Sequence, residues 1–416
     1  MELVPGISAH FVQSKKFKTN KITIRFTAPL SLETIAGRML SASMLETANK
    51  AYPTSQAFRR YLASLYGTDI STSAYRRGQA HILDLTFTYV RDDFLSKKNV
   101  LTSRILELVK QTLFAPLAQD SAFEPALFEI ERKQLLASLA TDMDDSFYFA
   151  HKELDSLFFH DERLQLRYSD LRKRISNESP KSSYTCFQDA LKNDRIDFFF
   201  LGDFNEVEVK EWLRSFSFTG RQIDVKPQYK QPYSNVLREG MVRKNVGQSV
   251  LELAYHCSTS YGDKHHLAMV VMNGLLGGFA HSKLFTNVRE NAGLAYTISS
   301  QLDLFSGQLR MYAGIDRGNR NQARKLMNHQ LLELKKGNFT DLEIEQTKEM
   351  IRRTLLLAQD SQTSLIERVY LNSLLGKSTS DFDSWVEKLN QVDKEAICKA
   401  ANSVRLQAIY FMEGIE

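Results

Sequence analysis

The sequence predicts an α+β fold built as two tandem homologous domains, each a mostly antiparallel sheet with helices packed on one face. Three observations carry this. The 416 residues, 43% hydrophobic and 25% charged, are enough for two separate cores. Strand-like alternation of apolar and polar residues opens at 21–28 and again at 248–255. After each opening, the same order follows: two helices, a hairpin, long helices and a closing strand.

In the first half, Ile22, Ile24 and Phe26 alternate with Thr23, Arg25 and Thr27, the period of two expected of a half-buried strand. From Glu33 to Asn49 the residues Ile35, Met39, Leu40, Met44 and Leu45 recur at helical spacing. A second helix follows Pro53, with Phe58, Leu62 and Leu65 inward, and stops at Gly67. Stretches 68–75 and 80–90 read as a hairpin joined by Arg76, Arg77 and Gly78. Helical patterns fill most of 95–157, and 196–201 (IDFFFL) is a buried strand.

Residues 219–240 hold Pro227 and Pro232 among Gln, Lys, Tyr and Ser, without apolar periodicity. They are expected to link a domain at 1–218 to one at 241–416. In the second half, 248–255 repeats the opening strand, and 265–276 and 280–291 repeat the two helices. Stretches 294–302 and 307–314 form a hairpin. Of the two long helices that follow, the second starts at a capping box of Thr340 and Glu343 just after the stop signal Gly337. Residues 407–412 close the half.

The net charge of +5 gives no ground for a nucleic-acid or membrane partner. Cys186, Cys257 and Cys398 are far apart and odd in number, which suggests neither a disulfide framework nor a cysteine zinc site and fits a cytoplasmic location. The N-terminal residues do not read as a signal peptide. The longest mostly apolar run, 267–280, holds three glycines and falls short of the roughly 20 residues that span a bilayer.

None of the nine histidines lies in H-x-x-E-H or H-E-x-x-H, and the adjacent His265 and His266 diverge on a helix. No metal site is expected in this chain. Motifs of serine hydrolases, P-loop NTPases and dinucleotide enzymes are missing as well.

The stretch 273–300 stands out. Arg289 and Tyr296 flank a tight helix-to-strand turn broken by Gly293, where a guanidinium and a phenol could hold a peptide carbonyl and stabilise the oxyanion formed on attack. The competing structural reading has Arg289 capping the helix and Tyr296 packing into the sheet.

The segment 275–296, LLGGFAHSKLFTNVRENAGLAY, resembles the C-terminal domain of the insulinase/pitrilysin-type zinc peptidases, the inverzincins. Gly277, Gly278, Leu284, Phe285, Arg289, Glu290, Gly293, Leu294 and Tyr296 stand at the spacing of that family. The resemblance implies two α+β domains that form half of a clamshell. It gives Arg289 and Tyr296 the role of contacting substrate and stabilising the transition state, with Gly277 and Gly278 as substrate-binding positions.

The first long helix departs from the family. Active members carry H-x-x-E-H there, with a further Glu ligand on a later helix, whereas this chain reads AGRMLSASMLETANKAYPT over 36–54. Anchored on Met44, Leu45, Tyr52 and Pro53, the counterparts of the two histidines are Met39 and Ser43, and that of the glutamate is Ala42. None is a credible zinc ligand or general base. The resemblance therefore implies a subunit that cannot hydrolyse peptides alone and pairs as a heterodimer with a homologous H-x-x-E-H subunit that holds the zinc. Its substrates would be extended peptides, bound by adding a strand to a sheet edge. The alternative is a peptidase-fold binding or assembly protein with no role in proteolysis.

Overall fold

In a computed structural model of the chain, residues 1–96, 100–223, 225–376 and 382–415 are described. The first half runs β1 (Glu2–Val4), β2 (Ile7–Gln13), β3 (Thr19–Pro29), α1 (Ile35–Thr47), α2 (Ser55–Ser64), β4 (Asp69–Arg77), β5 (Ala80–Val90) and α3 (Val100–Phe114). A small hairpin, β6 (Ala118–Gln119) and β7 (Ala122–Phe123), precedes α4 (Pro125–Asp142) and α5 (Ser146–Phe158). Then come α6 (Tyr168–Asn177), α7 (Pro180–Asn193), β8 (Arg195–Gly202) and α8 (Glu206–Arg214). The second half runs β9 (Arg238–Lys244), β10 (Ser249–His256), α9 (His266–Asn273), β11 (Thr297–Asp303), β12 (Gln308–Ile315), α10 (Arg320–Lys336) and α11 (Asp341–Ala358). It ends with α12 (Gln362–Leu374), α13 (Phe382–Asn390), α14 (Lys394–Ser403) and β13 (Arg405–Gly414).

Besides the two-stranded β6-β7 hairpin, the described strands form a six-stranded sheet ordered β1-β2-β8-β3-β5-β4 and a five-stranded one ordered β11-β12-β10-β13-β9. Each central strand, β3 or β10, lies between antiparallel neighbours, and each sheet has one parallel pairing, β2 with β8 or β13 with β9. The α+β architecture with two sheet-bearing halves is as the periodicities predict. Ile22, Ile24 and Phe26 of β3 point into a core with Ala42 of α1, Phe58 of α2 and Ile105 and Val109 of α3. Leu251 and Leu253 of β10 do the same with Met269 of α9, Met327 of α10 and Ile397 of α14.

Local signals fall where side-chain chemistry puts them. Thr340 and Glu343 cap each other's backbone amides at the start of α11. Gly337 ends α10 with φ +78°, a left-handed turn that costs glycine nothing. The β4–β5 turn is tighter than expected: β4 runs on through Arg77, and Gly78, at φ +53°, makes the turn with Gln79. Regular structure resumes at Arg238, because the end of the proline-bearing stretch enters β9 and pairs in parallel with β13.

The helices of the first core occupy one face of its sheet, but the other face is also covered. The chain packs as two compact units, and each takes a segment from the other half of the sequence. The first comprises Met1–Leu139, Ser169–Lys226 and Ser361–Leu371; the second comprises Ala140–Tyr168, Pro227–Asp360 and Asn372–Glu416. In the first unit, α12 lies over the polar face of the sheet. Arg25, 97% buried, forks Asp84 with bonds of 2.8 and 2.7 Å and reaches Glu367 of α12 at 2.8 Å. Its guanidinium also stacks 4.3 Å over the ring of Tyr370, whose hydroxyl bonds Thr27. In the second unit, α5 does this work, with Phe147 against Tyr312 and Phe149 against Tyr410. There Glu252 sits 3.5 Å from Arg310 and 3.9 Å from His151, and burial pushes its carboxyl up to about 8. No described helix is long and apolar enough to cross a membrane.

Candidate functional site

Past α9, the two helices that periodicity predicts for the second half lose regularity. The chain makes a π-helical turn at Gly274–Gly278, and a second at Phe285–Asn291. Such turns are rare outside functional positions and tight packing. The packing reason is local. A Cβ on Gly277 would stand 2.6 Å from the Ser300 amide nitrogen and 2.7 Å from Leu284 Cδ1, so only glycine lets the turn meet β11. The Gly277 carbonyl accepts the Ser299 hydroxyl at 2.9 Å. Gly278 is exposed, and a Cβ there would meet nothing nearer than the Asn273 carbonyl at 3.3 Å.

The second turn ends as a glycine-terminated helix does. Gly293, at φ +60°, donates its N–H to the Arg289 carbonyl at 3.1 Å, and Leu294 donates to Val288 at 3.0 Å. Leu294 and Ala295 are buried anchors, and the Tyr296 amide donates to Gly314 at 3.0 Å. This leaves the Tyr296 side chain outside: it is 63% exposed, and its hydroxyl donates to the Asp316 carboxylate at 3.3 Å. The Arg289 side chain is 41% exposed, stacks 4.6 Å over the Phe285 ring and lies 3.5 Å from Glu290. Tyr296 therefore does not pack into the sheet, and both side chains are available at one helix-to-strand turn. Neither hydrogen-bonds the other, and the two are held by separate local partners. Asp316 carries no motif signal; only the β11–β12 register brings it beside Tyr296.

On α1, the position where the resemblance puts a metal offers no donors. Ala42 is buried in the core, and the Ser43 hydroxyl turns back toward the Met39 carbonyl at 3.5 Å. One carboxylate comes near from a later helix: Glu131 of α4, buried, accepts the Thr47 hydroxyl at 2.9 Å, and burial pushes its carboxyl up. Sequence reading missed Glu131; its one signal is the spacing of three residues from buried Phe128 on the inward face of α4. A thioether, a methyl group and an internally bonded hydroxyl beside one carboxylate do not fit zinc. Among the described residues no three His, Cys, Asp or Glu side chains converge as a metal site would need.

These features, an Arg/Tyr turn on one sheet and a first helix stripped of ligands on the other, define an inactive-type metallopeptidase fold. Residues 178–351 match the family model described as the peptidase M16 inactive domain, and the chain fits an inactive insulinase-family subunit. It is 34% identical to a conserved protein from Enterococcus faecalis of known crystal structure, covering 100% of this chain and 98% of that one with a TM-score of 0.94. It is 28% identical to the Bacillus subtilis protein named "Probable inactive metalloprotease YmfF", over 99% of this chain and 96% of that one. A peptidase M16 inactive domain from Pseudomonas fluorescens shares the fold at 15% identity, with a TM-score of 0.78 and coverage of 100% and 98%.

Proposed function

We propose that this chain is the non-catalytic subunit of a heterodimeric zinc peptidase, located in the cytoplasm. It binds extended peptide and supplies Arg289 and Tyr296 in trans to the zinc site of a homologous H-x-x-E-H subunit. The observation that carries the reading is the contrast between the two halves. The motif positions of the first helix, Met39, Ala42 and Ser43, hold no zinc donor, while the Arg/Tyr turn presents both side chains at the surface. An inactive chain gains nothing from an exposed guanidinium and phenol on its own.

A zinc ion held by the partner's H-x-x-E-H motif would supply the polarised water for attack on the peptide carbonyl. This chain's part is electrostatic. The Arg289 guanidinium offers a fork of N–H donors, and the Tyr296 hydroxyl one O–H donor, to the oxygen on which negative charge develops. Phe285 beneath Arg289 and Asp316 beside Tyr296 limit the freedom of both side chains before substrate arrives.

The test mixes the chain with its H-x-x-E-H partner and a fluorogenic peptide. Arg289→Ala and Tyr296→Phe should each slow cleavage by about 10²-fold, as the loss of one oxyanion donor does. Both variants should keep the wild-type melting temperature, because the side chains they alter are exposed. Cleavage as fast as wild type in both would leave the alternative, a binding or assembly protein of this fold without a part in proteolysis.

A further inference from the structure

Strand β4 closes one end of the first sheet and, among the described residues, pairs only with β5. Its register with β5 is unbroken from Asp69 to Arg77. The free side of such a strand presents every second backbone N–H to whatever comes alongside. In this chain one of those donors is already taken. Glu46, in the last turn of α1, accepts the Thr72 backbone N–H at 2.8 Å and the Thr72 hydroxyl at 2.6 Å on the same Oε2. By the period of two, the N–H groups of Ile70 and Ala74 lie on the same side of β4 as that of Thr72. Glu46 thus seats a carboxylate on the middle of three successive edge donors.

The neighbouring residue fixes this arrangement. Thr47 turns away from β4 and donates its hydroxyl to the Ser43 carbonyl and to Glu131 of α4, both at 2.9 Å. The last turn of α1 is therefore tied on one side to α4 and on the other, through Glu46, to the strand edge. A carboxylate on a backbone N–H makes a charge-assisted bond, stronger than the amide–carbonyl bond that a peptide strand would put in its place. It also sets a negative charge where an incoming carbonyl would have to lie.

We infer that Glu46 is the specificity-determining residue of this edge: it keeps β4 from taking up a peptide strand, so that extended peptide pairs there only when the Glu46 carboxylate is displaced. The inference rests on the reading that the chain binds extended peptides by strand addition. It deepens that reading by naming the edge that is closed and the group that closes it.

The experiment uses the full chain alone and an unstructured, fluorescein-labelled 15-residue peptide rich in Thr and Val, followed by fluorescence anisotropy. Glu46→Ala should bind this peptide about tenfold more tightly than wild type, and Glu46→Gln, which keeps the side chain's shape and a neutral acceptor, should fall between the two. Amide hydrogen exchange at Thr72 gives the second readout. It should be slow in wild type, faster in Glu46→Ala, and slow again when that variant holds peptide. Equal or weaker peptide binding by both variants overturns the inference, as does a Thr72 amide that peptide fails to protect. If Glu46→Ala does not fold, the isosteric Glu46→Gln decides by the same measurements. Should wild type and both variants ignore the peptide while Arg289→Ala still slows the partner's cleavage, this inference fails and the proposed function stands.

Discussion

Replacing Gly277 by alanine separates a packing role from a ligand-binding one at a position that the family motif includes. The added Cβ would lie 2.6 Å from the Ser300 amide nitrogen, 2.7 Å from its Oγ and 2.7 Å from Leu284 Cδ1. Carbon contacts are comfortable at about 3.5–4.0 Å, so the overlap is roughly 1 Å on three sides. None of these neighbours can easily recede. Ser300 is laddered opposite Met311 in β11–β12, and Leu284 is fully buried. Overpacking of this kind costs about 1–3 kcal/mol, and with backbone among the clashing atoms the upper part of that range applies. At about 2–4 °C per kcal/mol for a unit of this size, the melting temperature should fall by roughly 5–10 °C. Gly278→Ala is the control, since its nearest contact would be 3.3 Å and the residue is exposed; it should melt within about 1–2 °C of wild type. Scanning calorimetry of both variants, alongside peptide cleavage with the partner, reads the outcome. A Gly277→Ala protein that melts like wild type yet no longer supports cleavage would refute the packing argument and place Gly277 at the substrate.

Two further expectations concern the buried ionisable residues on the polar faces of the two sheets. Arg25→Met strips Asp84 of its fork and should cost about 3–5 kcal/mol in urea unfolding, whereas Glu367→Gln, which leaves that fork in place, should cost clearly less; equal losses would contradict the network. Glu252 titrates near 8 in the folded chain, well above an unfolded carboxylate, so its contribution favours folding at low pH and is lost as pH climbs from about 4.5 through 8. Glu252→Gln should flatten that part of the stability profile and make the protein more stable than wild type above pH 8, and an unchanged profile would mean that Glu252 is not held neutral.

Periodicity made the two sheets legible, because β3 and β10 bury one face against helices and write that fact as alternation. It also placed the Arg/Tyr turn, since Gly293 and the strand start are local signals. What escaped depends on contacts distant in sequence. Glu131, Asp316 and Glu46 look like ordinary surface acids in the sequence, and only the packing of α4 on α1 and the strand registers give them partners. The polar residues Thr23, Arg25 and Thr27 alternate as a solvent-facing row would, yet all three are buried, because a helix from the other half of the chain covers them. The π-helical turns carry no signal that separates them from plain helix, since a helix period of 3.6 and its local widening share the same apolar spacing.

The exchange of segments between the units also sets an order of events during synthesis. The first unit needs residues 361–371, which the ribosome makes only after the 134 residues of 227–360, a delay of roughly 7–27 s at typical elongation rates. Until then its row of buried charges, with Arg25 at the centre, has no lid. A nascent chain that waits with ionic groups uncovered exposes water-loving surface, which attracts few wrong partners. The polar character of that face thus suits a strand surface that must stay open longest.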